Sequence, residues 1–263
     1  MDVPRLGFGT YRLTDPAACA SAVRTALETG YRHVDTAEYY ENEAAVGEGI
    51  AASDVDRADV FLASKAWRDR LARDDFIESA RERVDLLGVD ALDLLYVHWP
   101  MDTYDPEETL AALIEAREAG LTDGIGLSNF TPAQLDEAID HLGEPPLAHQ
   151  VELHPLLQQE ALRDHADRHG YRLVAYAPIA RNAVADVPEI RDVAAKHDAT
   201  PAQVSLAWVL AKGAVPIPKA GTPAHIRENY RALDVELDDE DVARIDGIEE
   251  ERRIVDFPNA PWK

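Results

Sequence analysis

At 263 residues the chain suits a single domain, and its lone cysteine, Cys19, allows neither an intrachain disulfide nor a thiolate metal cluster. Its 50 acidic residues against 26 basic ones give a formal charge of −24, which repels phosphates over most of the surface and excludes nucleic acid as a partner. No apolar run reaches the roughly 18 residues that would span a bilayer, and Met1-Asp2-Val3-Pro4-Arg5 lacks the basic segment and apolar stretch of a signal peptide, so no membrane partner and a cytoplasmic location are expected.

The acidic residues are not gathered in a tail. They recur along the chain, as in Asp54-Val55-Asp56, Asp74-Asp75, Asp238-Asp239-Glu240-Asp241 and Glu249-Glu250-Glu251, while lysine occurs only at 65, 196, 212, 219 and 263. Such an acidic surface predicts a halophilic protein, adapted to a cytoplasm at very high salt, where carboxylates stay hydrated and their repulsion is screened within a few ångström.

In chain order, β-branched and aliphatic runs at 6–10, 32–36, 60–65, 92–98, 124–129, 148–153, 172–178 and 214–219 read as eight strands. Most are continuously apolar, as parallel strands covered on both faces require. Helical patterns fall at 16–29, 43–52, 74–87, 106–119, 132–141, 159–169, 188–197, 201–212 and 223–232, and one extra helix at 238–247 precedes a short tail containing Trp262. Thr131-Pro132, Thr200-Pro201 and Thr222-Pro223 each set a capping hydroxyl before a first-turn proline, and Gly30, Gly88, Gly120 and Gly170 follow helix ends. No linker or low-complexity segment divides the chain. The alternation predicts one domain over residues 1–263, an α/β fold of the (β/α)8 TIM-barrel type, with its active site at the strand C-termini.

Polar groups capable of chemistry sit at those ends. Asp35, Lys65, His98, Asn129, Gln150 and Lys219 each fall on the last residue or two of a strand, and Tyr40 follows soon after Asp35. Taken singly, Tyr40 reads as a surface aromatic, Asp35 as a helix cap and His98 as a buried histidine. Their joint placement after three successive strands favours a site.

The stretch Gly30-Tyr31-Arg32-His33-Val34-Asp35-Thr36-Ala37-Glu38-Tyr39-Tyr40-Glu41-Asn42-Glu43 resembles the signature of the aldo-keto reductases. The resemblance continues through Phe61-Leu62-Ala63-Ser64-Lys65-Ala66-Trp67, Leu94-Leu95-Tyr96-Val97-His98-Trp99-Pro100, Gly126-Leu127-Ser128-Asn129-Phe130, Gln150-Val151-Glu152-Leu153-His154-Pro155, Ala175-Tyr176-Ala177-Pro178 and Ile217-Pro218-Lys219. It runs from about residue 6 to residue 237, with seven segments in register.

That resemblance implies an NADPH- or NADH-dependent reduction of aldehydes and ketones, with Tyr40 giving a proton to the carbonyl while the cofactor delivers hydride. A free phenol has a pKa of about 10, and a neighbouring ammonium would lower it, the part expected of Lys65. Asp35 would hold Lys65, and His98 would hydrogen-bond the carbonyl oxygen. For the cofactor it implies Ser128, Asn129 and Gln150 around the carboxamide, Tyr176 stacked on the ring, and Thr10, Asp35, Ala177 and Ile179 beside them. Lys219, Ala220, Gly221, Thr222, His225, Glu228 and Asn229 would meet the adenosine end. Gly7-Phe8-Gly9-Thr10 reads as the first strand approaching the cofactor closely.

Two positions depart from the family's usual lysine–serine pair with an arginine six residues after the lysine: here they are Ala220 and His225. An imidazole mostly neutral at pH 7 replaces a permanently charged planar guanidinium, and a hydroxyl is lost, which predicts a weakened preference for NADPH. Tyr11, Tyr39, Trp67 and Trp99 fall just beyond strand ends and would line a pocket for an apolar or aromatic carbonyl compound. With a short loop after His98 and a short tail, that pocket is expected to be open. A monomer acting on a small molecule is expected.

No metal is expected. Among the histidines only His165 and His169 have i, i+4 spacing, on a helix expected to present a solvated face. The competing reading from another class is a cofactor-binding regulatory or redox-sensor barrel with little turnover, which would need no tuned tyrosine. A sugar-phosphate isomerase or hydrolase would need paired carboxylates, for which only Asp35 and Glu152 stand at strand ends.

Overall fold

The computed structural model describes residues 2–263. Eight parallel strands follow one another in sequence order: β1 (Phe8–Gly9), β2 (His33–Asp35), β3 (Phe61–Ala66), β4 (Leu92–Val97), β5 (Thr122–Ser128), β6 (Ala148–Glu152), β7 (Arg172–Tyr176) and β8 (Val215–Pro216). A parallel bridge between Gly9 and Lys219 closes β8 back onto β1, so the sheet is a barrel. The helices are α1 (Pro16–Thr29), α2 (Glu43–Ala51), α3 (Arg73–Leu87), α4 (Pro106–Glu118), α5 (Pro132–Leu142), α6 (Glu160–His169), α7 (Pro188–Lys196), α8 (Pro201–Ala211), α9 (Pro223–Tyr230) and α10 (Asp239–Asp246). This is the expected (β/α)8 architecture, with β1 and β8 shorter than their apolar runs. No helix among the described residues is long and apolar enough to cross a membrane.

Side chains alternate across each strand, and the inward set changes character along its length. On β3 it runs Phe61, Ala63, Lys65; on β4 Leu94, Tyr96, then His98 just past the strand; on β6 Ala148, Gln150, Glu152. The apolar members form the barrel interior with Val174, Val215 and Ile217, and a larger apolar layer joins the outer strand faces to the helices. These strands therefore begin in a dry core and end in polar inward residues at or just beneath the C-terminal mouth.

Gly9 of β1 serves barrel closure and also lines the mouth. A Cβ on Gly9 would lie 2.7 Å from the Ile217 carbonyl oxygen, and the Gly9 amide donates to Pro218 O at 3.1 Å. On β5, a Cβ at Gly126 would stand 2.4 Å from the Tyr96 ring, so the missing side chain is the space Tyr96 occupies.

Capping follows the threonine–proline pairs as expected: Thr131 and Thr200 each form a reciprocal box with a glutamine three residues on, and Thr222 caps α9. The acidic helix α10 differs from a wholly solvated face. Asp241 is buried, boxed with Asp238 and bonded by Lys196 at 2.8 Å and His197 at 2.6 Å. The face carrying His165 and His169 likewise departs from expectation. His165 is 1% exposed, because its ring packs between Tyr171 and Asp136 rather than facing water.

Candidate active site

A cavity of about 860 Å³ opens at the C-terminal ends of the strands, within the range of small-molecule sites. Asp35, Tyr40, His98, Asn129, Gln150 and Lys219 reach its wall together, although they come from the ends of five different strands. Lys65 lies beneath, fully buried, with its ammonium 2.5 Å from Asp35 Oδ1 and 2.7 Å from the Thr36 carbonyl oxygen. The same ammonium is 5.1 Å from the centre of the Tyr40 ring.

The Tyr39–Tyr40 turn, a short 3-10 segment after β2, is held from both sides by residues the sequence reading left aside. Glu38 accepts from the Trp67 amide at 2.8 Å and from Ser79 Oγ at 2.9 Å, and it pairs with Arg83 at 2.9 Å. Asn42 donates to the carbonyls of Thr10 and Leu13, at 2.9 and 3.2 Å, and accepts from Thr36 Oγ1. A buried amide or carboxylate must find partners, and here those partners belong to the neighbouring loops.

The electrostatics differ from the expectation for Tyr40. Burial, followed by the Asp35 carboxylate, holds its hydroxyl well above the ordinary phenol value. Lys65 does not reverse this, because its charge is neutralised at 2.5 Å by Asp35. Burial also lowers the Lys65 ammonium, with Asp35 opposing the shift. For His98, burial and then Lys65 push the imidazole well below its usual value, so the ring is neutral; its Nδ1 is buried without a partner. The site thus presents a protonated phenol and a neutral imidazole across the neutral range.

Asn129 takes a left-handed conformation (φ 65°) after β5, and its side chain makes three hydrogen bonds. Its amide donates to the His98 carbonyl and to Ser128 Oγ, both at 3.0 Å, and it accepts from the Tyr176 hydroxyl at 2.9 Å. Ser128 lies behind Asn129, off the cavity wall, and donates to the Gln150 carbonyl at 2.9 Å. Gln150 Nε2 donates to Asp35 Oδ2 at 2.7 Å, so Asp35 is gripped on one oxygen by Lys65 and on the other by Gln150.

Thr10, Tyr176, Ala177 and Ile179 also line the cavity. The chain after β7 runs through left-handed Ala177, Ala180, Arg181 and Asn182, non-glycine strain of the sort that collects at ligand sites. The remaining adenosine-end candidates lie beyond the wall. Gly221, Thr222 and His225 are exposed, whereas Ala220 and Asn229 are buried. Glu228 accepts from Thr200 Oγ1 at 3.0 Å through one of its two carboxylate oxygens.

All four pocket aromatics line the cavity. Tyr39 stacks on Trp67 (4.1 Å between centroids, 17° between planes), and Tyr11 packs 5.1 Å from Tyr40. The tail, however, forms part of the pocket wall. Glu152, fully buried, accepts from the amides of Ile254 at 2.5 Å and Val255 at 2.7 Å, with His154 at 3.0 Å from the same carboxylate. This fastens the tail across the mouth, where Val255, Phe257, Pro258 and Asn259 form a wall, and Trp99 meets Phe257 and Trp262 at 5.0 and 5.6 Å. Glu152 is therefore a structural anchor and not half of a catalytic pair. Arg12, Arg68 and Arg181 line the rim as well; Arg12 and Arg68 directly follow the pocket aromatics Tyr11 and Trp67, a signal available in the sequence.

A reactive cavity at the C-terminal mouth of a closed parallel barrel defines the protein as a barrel enzyme. Residues 5–250 match the aldo/keto reductase family. Methylglyoxal reductase DkgB of Salmonella typhimurium is 41% identical over 258 residues, 97% of this chain and 96% of its own length. The 2,5-diketo-D-gluconic acid reductase B of Corynebacterium sp. is 40% identical over 248 residues, 94% of this chain and 89% of its own. The crystal structure of a Bombyx mori aldo-keto reductase in complex with NADP has a TM-score of 0.91 at 30% identity, covering 98% of this chain and 95% of that one. The chain belongs to the aldo/keto reductase family and is an oxidoreductase acting on carbonyl compounds.

Proposed function

We propose that the enzyme reduces small aldehydes and ketones with a nicotinamide cofactor, and that Tyr40 is the proton donor. The observation that carries this reading is the fully buried Asp35–Lys65 pair beneath Tyr40, beside neutral His98. A module that only bound a cofactor would gain nothing from burying such a pair. Bound reduced nicotinamide supplies a hydride to the carbonyl carbon. As charge develops on the carbonyl oxygen, the Tyr40 O–H transfers its proton there, and Lys65 faces the phenolate left behind. His98, neutral, hydrogen-bonds the same oxygen from its cavity-facing side.

The residues present fit an anionic dinucleotide. Lys219 and Arg181 are exposed basic groups on the rim, and the Tyr176 ring forms part of the wall, with its hydroxyl tied to Asn129. Thr10, Asn129, Ala177 and Ile179 complete the nicotinamide end. Ser128 acts one layer back by fixing Asn129, and Gln150, on the wall, fixes Asp35. With an exposed imidazole at His225 in place of a permanently charged, planar guanidinium, preference for NADPH is weak, and the ratio of kcat/KM for NADPH over NADH lies below about a thousand. His225→Arg raises that ratio about tenfold, as an added charged, planar donor would; steady-state kinetics with both cofactors measures it, and an unchanged ratio contradicts the assignment.

The substrate reading shifts from apolar carbonyls towards polar ones. The acids on the cavity wall, Asp35 and Asp102, are paired with Lys65 and Arg68, whereas Arg12, Arg181 and Lys219 face it from exposed positions. A basic mouth in a chain of net charge −24 focuses anions. Small dicarbonyls and keto acids fit it, as the names of two relatives suggest. Activity across a panel that includes methylglyoxal, a keto acid and benzaldehyde tests this, and loss of NADPH consumption in Tyr40→Phe tests the mechanism.

The surface fits a cytoplasm at molar salt. Asp54, Asp56, Asp74, Asp75, Asp238, Asp239, Glu240 and Glu249 through Glu251 are all exposed. Raising KCl from about 0.1 M to about 2 M should lift Tm by on the order of 10 °C as the repulsion is screened. Calorimetry that finds Tm independent of salt removes the halophilic reading.

A further inference from the structure

We infer that the outer wall of the barrel carries a second ligand site, a centre for a zinc-class divalent cation built from Asp136, His165 and His169. His165 and His169 stand one turn apart on α6 with their rings stacked, 4.3 Å between centroids and 18° between planes. Across from them on α5, Asp136 Oδ1 lies 3.0 Å from His165 Nε2 and 3.8 Å from His169 Nε2. One ligand atom from each residue falls within 4.8 Å of the other two. A tetrahedral ion with metal–nitrogen bonds of about 2.05 Å needs ligand atoms about 3.3 Å apart. The two measured separations bracket that value, so small side-chain rotations suffice.

The surroundings are those of a metal site rather than of a chance surface contact. Tyr171 Oη sits 2.8 Å from His165 Nδ1, on the far side of the ring from Asp136. By turning its hydroxyl, Tyr171 can accept from Nδ1–H and leave the Nε2 lone pair for a cation, the backing that ligating imidazoles need. His165 is buried, His169 half-buried and Asp136 exposed, so the centre has a rigid base and an open side where water completes the coordination. A hydrogen bond between His165 and Asp136 alone would explain the first ring, but not the second ring stacked on it and turned to the same carboxylate.

Two imidazoles and one carboxylate select zinc, cobalt, nickel or copper over calcium and magnesium, which prefer all-oxygen shells. None of the three residues lines the reaction cavity, so the ion tethers α5 to α6 and takes no part in carbonyl reduction.

Chelator-treated full-length enzyme, titrated with Zn2+ by calorimetry in molar KCl to suppress loose binding to the acidic surface, should take up one equivalent. Zinc at about a hundredfold excess over its Kd should raise Tm by roughly 5 °C. Co2+ in place of zinc should give visible absorption bands of four-coordinate intensity that zinc abolishes and millimolar Mg2+ does not. His169→Ala and Asp136→Asn, both outside the buried base, should each weaken binding by at least about tenfold with carbonyl reduction unchanged. Absence of one-equivalent binding by the native protein, binding equally tight in His169→Ala, or displacement by Mg2+ would each overturn the proposal.

Discussion

Tyr40→Phe should lower kcat for carbonyl reduction by about 10²–10⁴-fold, the usual worth of a positioned general acid, while the Kd for the cofactor stays unchanged. The substitution removes one oxygen and keeps the ring that packs at 5.1 Å on Tyr11 and 6.0 Å from His98, so the pocket retains its shape. Burial and Asp35 keep the Tyr40 hydroxyl protonated across the neutral range, so the native residue has a proton to give that the variant lacks. Steady-state turnover with quenching of protein fluorescence by NADPH separates the two effects. A variant that keeps more than about a tenth of native kcat would assign the proton to another donor, and one that loses cofactor binding as well would point to a damaged fold.

Lys65→Met should cost both activity and stability. It leaves the Asp35 carboxylate, 1% exposed, with only the Gln150 amide at 2.7 Å in place of an ammonium at 2.5 Å. Breaking a buried pair by removing one partner typically costs about 3–5 kcal/mol, which corresponds to a fall in Tm on the order of 10 °C for a chain of this size. The double variant Lys65→Met with Asp35→Asn removes both charges and should recover most of that stability, since a neutral amide can still meet Gln150. It should not recover turnover, because no cation then faces the Tyr40 phenolate. Thermal unfolding of the native, single and double variants checks the stability, and NADPH oxidation checks the turnover. Equal stability of single and double variants would mean that the pair is not what holds this part of the barrel.

The architecture was legible along the chain because its determinants are local. Apolar runs long enough for a strand, threonine–proline starts and glycine stops are read within a few residues, and they placed eight strands and ten helices in the order the structure shows. The site residues were legible for a related reason. In a parallel barrel every strand C-terminus faces the same way, so polar residues at strand ends meet whatever their separation in sequence, as Asp35 and Gln150 do across 115 positions.

What the sequence could not show depends on who meets whom. Asp35 holds Lys65 as expected, but the phenol of Tyr40 is not lowered by that ammonium: burial, followed by the Asp35 carboxylate, raises it. Gln150, expected to meet a ligand, also holds Asp35, a pairing visible only once β6 and β2 share a barrel mouth. The tail looked too short to shape the pocket, yet two amides a hundred residues downstream satisfy buried Glu152 and place Phe257 in the cavity wall. His165 looked solvated until α5 supplied Asp136 and the β7 entry supplied Tyr171. By itself the sequence determined the barrel, its reactive end and the residues that gather there, because periodicity and strand direction are properties of the chain. Only the tertiary structure decided their protonation states and partners, because burial and charge depend on neighbours that are remote in sequence.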